Sequence, residues 1–268
     1  MANDVKKPID VYILSGQSNA VGYSFKKGLK KSFPGALIYN SCNREDVTET
    51  NWQTLTNNQG CEKKRFGPEV GIAEVLLPLY KEKRPFALIK SGKGGKAIYD
   101  YFLSPTSVKN GIGDLQAVKT YLIDGKEYVC GEGYFRLIKT ISGGLKKLEE
   151  KGYAPNLVGL FWMQGETDAE SLSACSVYDK TLPWFLSDIR SFTGKNIPVV
   201  IGKIKSPAEF EKEIIAVQEK IVALTENCAI VETKDLKMQP TDTWHYDTLS
   251  MEELGKRFAK AMQTLTDI

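Results

Sequence analysis

The sequence predicts an α/β protein, a three-layer α/β/α sandwich around a central, mostly parallel sheet of about five strands. Three observations carry that prediction. Short apolar runs recur along the chain and are nearly continuous in hydrophobicity, as strands buried on both faces are. Stretches of helical period separate them, and strand alternating with helix is the pattern of a doubly wound sheet. At 268 residues one core can still grow without splitting, so a single domain over residues 1–268 is expected, with no internal repeat or linker.

The strands are expected at IDVYIL (9–14), ALIYN (36–40), FALIKS (86–91), LVGLFWM (157–163), IPVVIGKI (197–204) and CAIVET (228–233). Four helices follow from apolar stripes. FGPEVGIAEVLLPLYKEK (66–83) aligns Val70, Ala73, Leu76 and Leu77, with Pro68 suited to a first turn. Residues 134–152 align Tyr134, Leu137, Ile138, Ile141, Leu145 and Leu148 and stop at Gly152. Residues 211–227 align Ile214, Val217, Ile221 and Leu224; the last helix carries Leu254, Phe258, Met262 and Leu265 behind a capping box of Ser250 and Glu253. Two polar, irregular stretches, 41–65 and 103–116, are long for plain connections and are expected to shape a cleft at the strand ends.

Composition excludes some classes of function. With 42% hydrophobic and 26% charged residues, and no apolar run near the roughly 20 residues that span a bilayer, no membrane segment is read. The net charge of +3 is spread out, and the lysine runs at 26–31 and 61–66 read as solvated faces rather than a nucleic-acid patch. MANDVKKPID contains no apolar core of a signal peptide; as it stands the chain reads as cytoplasmic, or as secreted or periplasmic if a leader has been removed. Five cysteines match neither a zinc site nor a CxxC pair, although Cys42 and Cys61 bracket a polar loop and are candidates for a disulfide in an oxidising compartment.

The only histidine, His245, stands in TDTWHYD, three residues after Asp242. In a turn or helical start that spacing brings a carboxylate beside the imidazole, where it fixes the tautomer and leaves Nε2 to take a proton. A hydroxyl for that proton is Ser18 in GQSNA, directly after the first strand, with Gly16 permitting a tight turn. A polar turn without chemistry is the bland alternative. The stretch is not the nucleophile elbow G-x-S-x-G, because Ala20 occupies the last glycine position. SGKGGKAIYD (91–100) lacks the P-loop register and has Ala97 where a hydroxyl would bind magnesium, so nucleotide binding is rejected there. In FWMQGETD (161–168), Asp168 reads as a helix N-cap, whereas a buried Gln164 needs partners for both ends of its amide.

Taken together, GQSN after the first strand, GG after a middle strand, WMQGETD after the next and DTWH near the C-terminus resemble the ordered blocks of the SGNH-hydrolase superfamily. The nearest branch is that of the sialate O-acetylesterase and acetylxylan-esterase-like carbohydrate esterases, and the resemblance runs over residues 9–264. It implies a flavodoxin-like fold and a Ser-His-Asp triad of Ser18 as nucleophile, His245 as base and Asp242 as its orienting acid. It also implies an oxyanion hole from the Ser18 N–H, the Gly94 and Gly95 turn and the Gln164 amide. Glu166 is similar to a carboxylate that braces the site loops, and Gln17 and Asn19 complete the support. No metal or organic cofactor is implied. Lys96 and Ala97 replace small hydroxyl residues, and Ala20 a methionine, which touches substrate choice rather than catalysis.

The expected activity is a serine esterase removing O-acetyl groups from a carbohydrate, either an acetylated xylan-type polysaccharide or sialic acid. Trp52, Tyr99, Tyr101, Phe102 and Trp244 are candidates for stacking on sugar rings, or equally for packing. Rival readings are a lipid or thioester acyl hydrolase on the same fold and a non-catalytic glycan-binding module. Neither nucleic acid nor membrane is an expected partner, and oligomeric state is not legible.

Overall fold

The computed structural model describes residues 6–26, 28, 31–42, 50–80 and 84–266. Parts of the first lysine run (27, 29 and 30), of the 41–65 stretch (43–49) and the end of the 66–83 helix (81–83) lie outside the described residues.

The sheet has seven strands: β1 Lys7–Gly16, β2 Ser32–Asn40, β3 Gln53–Thr56, β4 Phe86–Gly92, β5 Tyr153–Met163, β6 Val199–Gly202 and β7 Cys228–Val231. Their order is β7-β6-β5-β1-β4-β2-β3. Every neighbouring pair is parallel except β2 with β3. All six expected apolar runs are therefore strands, and the count of about five is corrected to seven. The addition, QTLT in β3, is a short, polar edge strand, which lacks the apolar run that betrays a buried one.

Continuous hydrophobicity has the expected cause. β1 is buried from Ile9 to Gly16, and its alternate residues serve two cores. Ile9, Val11 and Ile13 join Ile89, Trp162 and Ile201 on one face; Tyr12 and Leu14 join Leu88, Phe161 and Val200 on the other. Over the first face lie α3 (Glu132–Glu150), α4 (Tyr178–Thr193) and α5 (Glu211–Leu224); over the second lie α2 (Glu69–Tyr80) and α6 (Thr248–Gln263), while the four-residue α1 (Ser18–Val21) follows β1. Helix α4 has the stripe Leu182, Phe185, Leu186 and Ile189, all buried, but its Pro183 reads as a breaker and conceals it.

The structure corrects four local expectations. The cap of α6 is Asp247, whose carboxylate accepts from Ser250 N–H at 2.8 Å, while the Ser250 hydroxyl accepts from Lys237 N–H at 2.7 Å. None of the five cysteines is in a disulfide; burial pushes the Cys42 thiol up to about 11. The 103–116 stretch forms a helical turn, Pro105–Lys109, fastened to α4 by Thr106 N–H and Oγ1 on Asp188 (2.8 and 2.6 Å). Its link toward the strand ends is Asp114 N–H on Tyr99 O at 2.7 Å. Asp242 and His245 sit on a two-stranded ribbon, Asp242–Tyr246 against Met238–Gln239, and not in a helical start.

Candidate active site

The site grows out of three strand ends lying side by side. In register, Gly16 pairs with Gly92 on one side and Met163 on the other, so the segments after β1, β4 and β5 leave the sheet at one level. Gly16 has φ +138°, and a Cβ there would lie 1.9 Å from Met163 O, so no other residue makes this exit. Gln17 N–H donates to Met163 O at 2.9 Å, and its carbonyl accepts from Ala20 and Val21, which starts α1 with Ser18 at its first position. Ser18 is 6% exposed.

Gln17 and Asn19, flanking the serine, hold the surrounding loops. Gln17 Oε1 accepts from Thr167 N–H (3.2 Å) and Gln164 Nε2 (3.4 Å). Asn19 Nδ2 donates to Glu166 Oε1 at 2.8 Å and to Trp244 O at 3.0 Å, and its Oδ1 accepts from Tyr246 N–H at 3.4 Å. Both backbone neighbours of His245 are thus fastened to the residue after Ser18. At the imidazole, Nδ1 bonds Asp242 Oδ2, while Asp242 Oδ1 accepts from Trp244 N–H at 2.9 Å. Burial pushes the Asp242 carboxyl up, but these bonds outweigh it and hold the group below its ordinary value. The described contacts include no hydrogen bond between Ser18 Oγ and His245; such bonds often tighten only once substrate binds.

Gln164 is fully buried, and its amide finds the partners that its position demands. Nε2 donates to Asp168 Oδ2 at 2.5 Å and Lys96 O at 3.1 Å, and Tyr178 OH donates to Oε1 at 3.3 Å. Asp168 is not the N-cap of its own turn, a place taken by Thr167. Its carboxylate instead reaches 70 residues back to accept from Ile98 N–H (3.0 Å) and Tyr99 N–H (3.2 Å), tying down the loop that follows Gly94 and Gly95. Burial raises Asp168 to about 6 against these bonds. Glu166, 1% exposed, is raised to about 7 by burial, with the Asn19 amide opposing, and its Oε2 has no hydrogen-bond partner among the described residues.

Of the aromatic candidates, Phe102 belongs to the core, edge-on to Trp162 at 5.3 Å, and Trp52 leans on Tyr39 while donating to Gly144 O at 2.9 Å. Tyr101 is 7% exposed, beneath the Lys93 and Lys96 ammoniums at 5.5 and 5.6 Å. Tyr99 and Trp244 are half-buried in the site loops. Sequence reasoning missed Tyr23, whose ring stacks on His245 with centroids 4.4 Å apart and planes 13° apart. No spacing signals a contact between residues so distant along the chain. Among the described residues no group of three or more His, Cys, Asp or Glu could hold a metal ion, and no helix is long and apolar enough to cross a membrane.

Residues 8–264 match the profile of the family described as carbohydrate esterase, sialic acid-specific acetylesterase. The chain belongs to that family. Membership in these acetylesterases makes it a carboxylic ester hydrolase whose substrate is an acetylated carbohydrate. Among solved structures, the acetylesterase chain is similar to a protein from Arabidopsis thaliana, with a TM-score of 0.69 at 17% identity, covering 96% of this chain and 98% of that one. NanS has a TM-score of 0.65 at 14% identity, covering 97% and 98%. A carbohydrate acetylesterase from Xanthomonas citri has a TM-score of 0.59 at 16% identity, covering 96% of this chain and 56% of the other. At these identities the likeness establishes the α/β sandwich. No curated protein matches the chain in sequence.

Proposed function

We propose that this acetylesterase is a serine enzyme working through an acyl-enzyme intermediate, with O-acetylated sialic acid ahead of acetylated xylan-type polysaccharide as substrate. The observation that carries the reading is the Asn19 bridge, which fastens both backbone neighbours of His245 to the residue beside Ser18. Ser18 Oγ attacks the acetyl carbonyl carbon while His245 Nε2 takes its proton, and Asp242 holds the other ring nitrogen and stabilises the imidazolium. The tetrahedral oxyanion faces backbone N–H groups of Ser18 and the Gly94–Gly95 turn. Gln164 joins them by exchanging its Lys96 contact, since its two N–H bonds already meet three acceptors. Collapse expels the sugar oxygen, which takes the proton from His245; water, deprotonated by the same imidazole, then releases acetate and restores Ser18.

Sialic acid leads on two grounds: the family's description, and the Lys93 and Lys96 ammoniums, which form no ion pair among the described residues and suit a sugar carboxylate. Hydrolysis of 4-nitrophenyl acetate, butyrate and octanoate, followed by O-acetyl sialic acid and acetylated xylan, tests the reading. Ser18→Ala is expected to lower kcat by on the order of 10⁴ or more while the fold persists, and Asp242→Asn to leave slow but measurable turnover. Full turnover by Ser18→Ala would sink the assignment, and preference for octanoate would turn the substrate toward lipids.

A further inference from the structure

An orienting aspartate restrains an imidazole at one atom. With Nδ1 held by Asp242, the ring can still swing about that bond, and His245 rides on a short two-stranded ribbon with 16% of its side chain exposed. Something else must fix the ring plane if Nε2 is to stay aimed. Tyr23 covers one face of the imidazole at 4.4 Å and 13°, close to parallel.

Tyr23 is itself well anchored. Its carbonyl accepts from the Arg65 guanidinium and from Gln239 Nε2 at 3.1 Å, and that amide also reaches Tyr246 O at 3.3 Å. Gln239 pairs in register with Asp242, so the ribbon that carries the Asp-His pair also holds the tyrosine that covers it. On its far side the phenol rests on the glycine turn: a Cβ on Gly94 would come within 2.8 Å of Tyr23 Oη. Gly94 has no left-handed φ to explain its glycine, and the tyrosine supplies the reason. The ring therefore spans the gap between the base and the turn that faces the oxyanion.

We propose that Tyr23 is a positioning residue of the reaction, clamping the plane of the His245 imidazole between the Asp242 bond and its own anchored ring, with the aromatic face rather than the phenol hydroxyl as the working part. The inference rests on the esterase reading for its kinetic consequence but not for its geometry. Tyr23→Leu is expected to lower kcat about tenfold with KM changed less than about twofold, because a tilted base is a misplaced one. Tyr23→Phe, which keeps the face, is expected to stay within about twofold of the parent in both.

The single histidine makes a second readout direct, since its Hε1 proton gives one resonance. In the untagged parent and in Tyr23→Phe that resonance is expected to be shifted upfield by the stacked ring, and in Tyr23→Leu to return toward its ordinary position. Parent-like kcat in Tyr23→Leu, or a Tyr23→Phe enzyme as slow as Tyr23→Leu, overturns the proposal. So does an unshifted resonance in the parent. Ser18→Ala run in parallel separates the two failures: parent turnover that ignores Ser18 defeats the esterase reading, while the resonance still tests the clamp.

Discussion

At the N-terminal end of β1, Asp10 is 4% exposed and accepts three hydrogen bonds, from Tyr80 Oη (3.0 Å), Arg84 Nη2 (2.9 Å) and Asn156 Nδ2 (3.0 Å). Beyond the C-terminal end of the same strand, Glu166 and Asp168 are buried as deeply, yet among the described residues neither meets a cation. The contrast extends to the surroundings. A cavity of about 620 Å³ opens beside Asp10, and on its wall Lys195 donates to Asn156 (2.8 Å) and Asn156 to Asp10. At the other end the partners of Glu166 and Asp168 are backbone N–H and side-chain amide groups, and burial leaves the two carboxyls high, at about 7 and about 6.

The difference follows from what each end has to do. A carboxylate that only joins elements is best compensated by a permanent positive charge. In the proposed mechanism the His245 imidazole gains and loses a positive charge during turnover, which a cation paired to Glu166 or Asp168 would oppose. Neutral donors hold the loops there without that penalty, at the cost of poorly compensated acids.

The largest effect expected from disturbing this arrangement is at Asp168. Asp168→Asn keeps the volume but loses one of the acceptors shared by Gln164, Ile98 and Tyr99, so the loop behind Gly94 and Gly95 is untied. A fall in kcat on the order of 10² is expected, comparable to losing one oxyanion donor, with about 1–3 kcal/mol of stability. Steady-state kinetics beside thermal unfolding checks both; loss of stability with unchanged kcat would make Asp168 a strut like Asp10.

Asp10→Ala is the converse experiment. It removes the acceptor shared by Arg84, Asn156 and Tyr80, of which the first two are solvent-exposed and the third keeps Tyr12 at 2.7 Å, so the loss is that of the hydrogen bonds alone, about 1–3 kcal/mol of stability. Turnover should not change, because the site lies at the opposite end of a ten-residue strand. Denaturant unfolding and acetate release on the same preparation decide it, and a kcat defect in a folded Asp10→Ala protein would break the separation between the two ends.

How much of this was legible in the sequence divides along the same line. Strands show because burial on both faces writes a continuous apolar run, and three of the four site blocks show because parallel strands end at one edge. Legibility fails where partners are chosen by sheet order rather than by neighbourhood. Asp168 lies in a block that was noticed, yet its partners at Ile98 and Tyr99 belong to a different strand end, and local chemistry reads it as a cap. Tyr23 and His245 meet only because the C-terminal ribbon folds over the first loop. Strand β3 and helix α4 were hidden differently, by polar composition and by Pro183, since an edge strand needs no apolar run and the buried stripe of α4 continues on both sides of its proline.

Glu166 allows the comparison to be sharpened without touching Ser18 or His245. Its folded value of about 7 lies above the ordinary glutamate value of 4.5, so between those limits the folded protein binds more protons than the unfolded one. Stability contributed by this site is therefore fully present below about pH 4.5 and declines as pH rises through about 7, the reverse of a salt-bridged carboxylate. Glu166→Gln removes the titration while keeping an oxygen for Asn19. Whatever its offset at pH 4.5, the variant should gain stability relative to the parent as pH rises to 7, by on the order of 2 kcal/mol, and the difference should then level off. Denaturant midpoints at half-unit pH steps give the curve. A difference that stays flat across that window would mean Glu166 is ionised throughout and compensated as Asp10 is, and the contrast between the two ends of β1 would fall with it.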